Sequence, residues 1–187
     1  LYLAKSAASG QLKVTEKLER IENLSGRAAD MIKQLLTFAN KDIVQKCTVP
    51  LTPFLKETLK LHHVSVPENV SLNLDIHDNL QVFADITQLQ QVLLNLITNA
   101  RDAVVGVENP RIDIKLEKFT ADATFQKKHE AYVHVEYAHL CVSDNGHGIT
   151  DEHLDHIFEP FYSTKEVGKG TGLGLSMVFG SLKSHNG

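Results

Sequence analysis

At 187 residues the chain is long enough for one ordinary domain plus a smaller appendage, and it can bury a core without disulfide or metal support. Hydrophobic residues at 42% and charged residues at 22% fit a soluble globular chain, and a net charge of -4 from 19 basic and 23 acidic residues leaves no basic stripe of the kind nucleic-acid binding needs. Cys47 and Cys141 lack metal-ligand or redox spacing and read as reduced thiols in a cytoplasmic setting. No apolar run approaches the ~20 residues of a membrane span. There is no signal peptide, and a chain that begins at Leu1 reads as a piece of something longer.

From Thr15 to about Lys41, Leu18, Ile21, Leu24, Ala28, Met31, Ile32, Leu35 and Phe38 recur at intervals of three and four, which predicts a long amphipathic helix. Residues 1–9 read as the tail of another helix and Gly10-Gln11 as the turn, so residues 1–46 form a truncated helical hairpin. Its apolar seam is most simply buried by a second copy in a four-helix bundle, or else by the chain's own second half.

Residues 47–187 change pattern. Thr52 and Pro53 predict a short helix, capped by the threonine, with Leu55 and Leu59 on one face. Val70, Leu72, Leu74 and Ile76 alternate with polar residues, and Leu80, Val82 and Ala84 repeat the pattern after His77-Asp78-Asn79, which predicts a hairpin. Asp85 and Gln88 form a capping box for a helix with core face Leu89, Val92, Leu93, Leu96, Ile97, Ala100 and Val104. Strands follow at Ile112-Ile114-Leu116 and from Tyr132 to Ser143, the second with a bulge near Tyr137 and a polar connection, Thr120 to Glu130, before it. A short helix at Asp151 to Ile157, a polar loop to Gly170 and a last helix from Leu173 to His185 complete an α+β, two-layer α/β sandwich with a mostly antiparallel sheet.

Three segments stand out for chemistry. On the Asp85 helix, Gln88, Asn95, Asn99 and Asp102 share a stripe roughly 120° from the core face. Asparagine is a poor helix former, so the pair Asn95 and Asn99 is either two surface amides or a source of the hard oxygen ligands Mg²⁺ prefers. DNGHG, Asp144 to Gly148, follows a strand end; it is either a good turn or a carboxylate for an exocyclic amine beside glycines that let a flat ligand approach. GKGTGLG, Gly168 to Gly174, leads into an apolar helix and offers backbone N–H groups to anionic oxygens. It lacks the Ser or Thr of a Walker A loop and the third glycine of a dinucleotide fingerprint.

These segments resemble the catalytic domain of bacterial sensor histidine kinases of the GHKL superfamily. NLITNARDA resembles that family's N box, VSDNGHGI its first glycine box, FEPFYSTK its F box and GKGTGLGLS its second glycine box. QLLTFANK resembles the end of the dimerisation hairpin in nitrogen-regulator-type and PAS-linked hybrid kinases.

The resemblance implies that Asn99 holds Mg²⁺, with Asn95 beside it near the phosphates as the catalytic amide. Asp144 binds the adenine amine, and Gly170, Thr171, Gly172 and Leu173 cover the phosphates of ATP. Asp102, Gly146, Gly148, Ile149, Lys165 and Gly174 complete the nucleotide site, and Thr150 to Lys169 form a mobile lid. It further implies transfer of the γ-phosphate to a histidine and thence to a response-regulator receiver domain, in a homodimer.

Two departures stand out. The acceptor motif, a histidine followed by Glu or Asp, is not found on the hairpin; His77-Asp78-Asn79 and His129-Glu130 mimic it elsewhere. The chain also ends at Gly187, before the family's next strand. A glutamate that activates water in hydrolytic relatives is replaced here by Asn95, and an amide cannot be that base. A GHKL-type ATPase or a non-catalytic dimerisation module are the alternative functions. An acceptor at Asp144 predicts ATP over GTP, by ~10⁴ in such sites.

Overall fold

The computed structural model describes residues 12–39, 45–62, 66–129, 135–165 and 170–187. The chain divides into two compact units, Leu1–Ile43 and Val44–Gly187. In the first, α1 spans Leu12–Ala39, as its three-and-four periodicity predicts, and Ile21 and Leu24 on its apolar stripe are half exposed. The helical tail and turn expected over residues 1–11 lie outside the described residues.

The second unit begins with a strand that has no sequence signal of its own, β1 (Cys47–Pro50), and runs straight into α2 (Leu51–His62). The expected threonine cap is therefore wrong. Thr52 lies inside α2, and its Oγ1 is buried without a hydrogen-bond partner among the described residues. Pro53 sits in the first turn, where its missing N–H leaves no gap in the helix ladder. Phe54, Leu55, Thr58 and Leu59 form the buried face.

β2 (Ser71–Ile76) and β3 (Gln81–Ala84) follow, but they are not the expected hairpin. β3 pairs antiparallel with β1, Val49 opposite Val82, while β2 pairs parallel with β4 (Arg111–Thr120), Leu74 opposite Ile114. The His77-Asp78-Asn79 segment thus changes ladder instead of turning back, and Asp78 accepts a bond from the Lys118 N–H at 2.8 Å. β5 (Glu136–Asp144) pairs antiparallel with β4 in an unbroken register from Thr120–Glu136 to Ile112–Asp144, so there is no bulge at Tyr137. Two of the three pairings are antiparallel. A further short helix, α4 (Ala123–Lys128), occupies the connection read as a plain loop; Asp122 caps it through the Phe125 N–H.

α3 (Ile86–Ala103) lies between β3 and β4 in sequence and supplies the helical wall of the core. Asp85 caps it, accepting from the N–H groups of Thr87 at 2.9 Å and Gln88 at 3.1 Å. Val92, Leu93, Ile97 and Ala100 are buried, as the periodicity requires. Leu93, Ile97 and Ala100 join Leu55 of α2 and the fully buried Ile112, Ile114 and Leu116 of β4 in one core. Each such side chain contributes about 1.5–3 kcal/mol of apolar burial, which is why β4 alternates so strictly between core and solvent. α5 (Asp151–Leu154) and α6 (Gly174–Ser184) complete the unit; α6 packs on α3, and its Met177 and Val178 are buried. The architecture is the α+β sandwich expected, with helices over one face of the strands.

Candidate functional site

The polar flank of α3 meets the start of α6. Asn95 accepts from Gln91 Nε2 at 3.1 Å and donates from its Nδ2 to the Gly174 carbonyl at 3.2 Å. One turn on, Asn99 is half-buried, and a Cβ on Gly174 would stand only 3.7 Å from its Nδ2. The head of α6 thus lies directly over both asparagines. Gln88 does not join them; its Oε1 accepts from Ser184 Oγ at 3.3 Å, near the far end of α6.

Asp102 continues the flank and is held from two sides. Arg101 Nη2 reaches Oδ1 at 2.7 Å, and Lys165 Nζ reaches Oδ2 at 2.6 Å. Burial pushes this carboxyl up, but the bonds and charges of Lys165 and Arg101 outweigh it and hold Asp102 below its ordinary value. Lys165 Nζ also lies 3.5 Å from Asn99 Oδ1, so one lysine bridges the two α3 side chains.

The DNGHG loop closes the other side. Asp144 is the last residue of β5, paired with Ile112, and its Oδ1 accepts from the Gly146 N–H at 2.9 Å. Asp144 is exposed, because it stands where the ladder runs out. Its Oδ2 has no partner among the described residues, so an acceptor faces outward.

Gly146 is required by packing. A Cβ there would lie 2.4 Å from the Ala103 carbonyl oxygen, which also accepts from the His147 N–H at 3.2 Å. This contact sets the loop against the last turn of α3, beside Asp102. Gly148 has φ +68 and open space around it, and Ile149 is 52% exposed on the rim. Asn145 was not singled out from sequence, yet it ties the loop down: its Oδ1 accepts from the Arg111 N–H at 2.7 Å and its Nδ2 donates to the Asn109 carbonyl at 3.0 Å. Its place between Asp144 and Gly146 was the available signal.

The second glycine segment rests on the F-box turn. Gly172, at φ +66, accepts from the Phe161 N–H at 2.9 Å, and a Cβ on it would fall 2.3 Å from the Phe161 carbonyl carbon. Gly170 faces Ser163 Oγ and Lys165. Thr171 Oγ1 accepts from the Leu173 N–H at 3.3 Å, while the Leu173 side chain is buried. Of the expected lid, residues 166–169, with Lys169, lie outside the described residues.

Asn95, Asn99, Asp102, Lys165, Gly172 and Gly174 are thus in one place, and Asp144 with Gly146 abuts it through Ala103. Depressions of about 820 Å³ at Thr52 and His77, and about 410 Å³ at Pro67 and Gly106, lie elsewhere and include none of these residues. Among the described residues no three His, Cys, Asp or Glu side chains converge as a metal site. A cation here would take an amide oxygen and the oxygens of its own ligand, the donor set that suits Mg²⁺.

The family model of the histidine kinase-, DNA gyrase B- and HSP90-like ATPases matches residues 84–187, more than half of the chain. The chain belongs to this family. Its span takes in both glycine segments, the F-box turn and all of α3, so this ATP-binding domain is the unit just described. The sensor kinase CckA of Brucella abortus is 37% identical over 168 residues, covering 89% of this chain and 18% of that protein.

The catalytic domain of the histidine kinase ThkA aligns with a TM-score of 0.59 at 27% identity, over 75% of this chain and 82% of that one. ThkA in complex with the response regulator TrrA aligns at 0.54 and 23% identity, over 89% of this chain and 42% of that one. The chain is a GHKL catalytic domain of the sensor histidine kinase type. It spans 18% of the length of CckA and 18% of that of the two-component sensor PprA of Pseudomonas aeruginosa. No helix among the described residues is long and apolar enough to cross a membrane.

Proposed function

We propose that this chain is the nucleotide-binding portion of a two-component sensor histidine kinase, one that binds Mg-ATP and delivers the γ-phosphate to a histidine lying outside these 187 residues. The observation that carries it is the bond from Asn95 to the Gly174 carbonyl, which brings amide oxygens and glycine-rich backbone to one point.

Asn99 supplies the oxygen for Mg²⁺, and Gly170 to Gly174 wrap the phosphates with N–H groups. Lys165 leaves Asp102 for a phosphate oxygen, and Oδ2 of Asp144, without a partner among the described residues, takes the adenine amine, with Gly146, Gly148 and Ile149 lying along the ring. Mg²⁺ held there would neutralise charge on the β- and γ-phosphates. Everything else is positioning: the groove holds the γ-phosphate toward an incoming imidazole, and no base for water exists at Asn95. The acceptor belongs to the helical hairpin of a homodimer, from which a receiver-domain aspartate takes the phosphoryl group.

Calorimetry on the intact chain tests the binding half, with Mg-ATP uptake expected and its absence fatal. Incubation with γ-labelled ATP tests the rest. The chain alone should neither label a histidine nor release phosphate rapidly, whereas the parent protein should label and pass the label to a receiver domain. An acid-labile phosphate on His77, or fast hydrolysis without an acceptor, overturns the assignment.

A further inference from the structure

A capping box at Asp85 needs a partner for the Asp85 N–H, and the sequence offers Gln88. The structure uses His185 instead: the Asp85 N–H donates to His185 Nε2 at 2.9 Å, across 100 residues of chain. On the other side of the ring, Nδ1 lies 2.7 Å from the Ser181 carbonyl oxygen. An amide N–H can only donate and a carbonyl oxygen can only accept. Nε2 must therefore be bare and Nδ1 must carry the hydrogen, so both neighbours demand one neutral tautomer.

Three more bonds converge on the same spot. The Gln45 N–H donates to Asp85 Oδ2 at 2.9 Å, Lys46 Nζ donates to the Ser184 carbonyl at 2.7 Å, and Ser184 Oγ meets Gln88 Oε1 at 3.3 Å. Lys46 is well placed there, since the C-terminal end of α6 carries partial negative charge. The N-cap of α3 and the C-terminal end of α6 are thus clasped together. The N-terminal end of α6 is clasped to α3 separately, through Asn95 and Gly174. α6 is pinned at both ends to the helix that bears the asparagine pair, and its head is the glycine loop.

We propose that His185 is a positioning residue of the nucleotide site, whose neutral Nδ1–H imidazole sets the seating of α6 on α3 and so holds the glycine loop over Asn95 and Asn99. It touches no part of the ligand's place and acts through α6. The inference rests on the ATP-binding reading of that groove.

The test joins a spectrum to a binding series on the full 187-residue chain. Long-range ¹⁵N–¹H spectra of the imidazole at pH 7.5 should show one Nδ1–H tautomer for His185; an Nε2–H or charged ring overturns the proposal without any variant. His185→Phe, which removes both ring nitrogens, should weaken Mg-ATP binding by about tenfold and speed amide exchange along α6. His185→Gln, whose Oε1 can accept from the Asp85 N–H, should bring affinity back to within about threefold of the parent. Equal binding by His185→Phe, or equal losses in both variants, overturns the proposal. If the unaltered chain takes up no ATP, the functional reading fails, while the tautomer spectrum and the α6 exchange still decide the clasp.

Discussion

Asn95 donates from Nδ2 to the carbonyl of Gly174 at 3.2 Å, joining the middle of one helix to the first residue of another 79 positions away. The bond makes the asparagine both a candidate ligand-facing amide and the fastener of the glycine loop. Asn95→Ala should therefore lose stability by about 1 kcal/mol as well as nucleotide affinity. Asn95→Asp sets a carboxylate against a carbonyl, two acceptors face to face, and should lose more, about 1–3 kcal/mol. Urea denaturation at pH 7.5 reads both, and an aspartate variant as stable as the parent contradicts the assigned orientation.

The glycines should separate by geometry, not by motif. Gly146→Ala and Gly172→Ala each force a Cβ to within 2.4 Å and 2.3 Å of backbone, and Gly172 also has positive φ, so each should destabilise by about 1–3 kcal/mol. Gly180 lies in α6 with nothing within 4 Å of a built Cβ, and Gly180→Ala should stabilise by about 0.5–1 kcal/mol. Thermal melts of the three variants should show opposite signs.

Asp144→Asn should narrow the preference for ATP over GTP by about tenfold or more, because an amide offers a donor to the guanine carbonyl as well as an acceptor to the adenine amine. Competition of the two nucleotides against a fluorescent ATP analogue measures the ratio. An unchanged ratio removes Asp144 from base recognition.

Asp102 titrates below its ordinary value because Lys165 and Arg101 outweigh burial. A carboxylate with a lowered folded value stabilises the fold above its unfolded value of ~3.9, and that contribution fades as pH falls through the folded value. Lys165→Met should raise the Asp102 titration midpoint, followed by carboxyl ¹³C shifts, and move the acid loss of stability to higher pH. A midpoint that stays put means the lysine contact is not populated in solution.

Thr52→Val should be neutral or stabilising by up to about 1 kcal/mol, since Thr52 Oγ1 is buried with no partner among the described residues and valine keeps the shape. A loss above that value in chemical denaturation means that the hydroxyl is hydrogen-bonded in solution.

The site was more legible than the sheet. Asn95, Asn99 and Asp102 share a helix stripe by arithmetic, and the glycines at 146, 170, 172 and 174 announce close backbone approach, so each motif could be placed on its element. What joins the motifs was not visible: the seat of Gly146 on Ala103, the turn of Phe161 under Gly172, and the bridge from Lys165 to Asp102 and Asn99. The strands show the same division. Alternation along Leu72-Leu74-Ile76 marked a half-buried strand, but it could not say that the partner was β4 in parallel, nor that the unremarkable Cys47–Pro50 would take β3.

By itself the sequence determined most of the helices and strands, though neither β1 nor α4, with the face each buries, and it singled out two asparagines, an aspartate and a set of glycines as candidates for one site. These follow from periods of 3.6 and 2 and from backbone freedom, all properties of neighbouring residues. Only the tertiary structure decided strand partners, the exposure of Asp144, the cap that His185 provides in place of Gln88, and the cation that faces Asp102. Those depend on donors and acceptors brought together from distant stretches of chain, where packing of the shared core, not local preference, selects the partner.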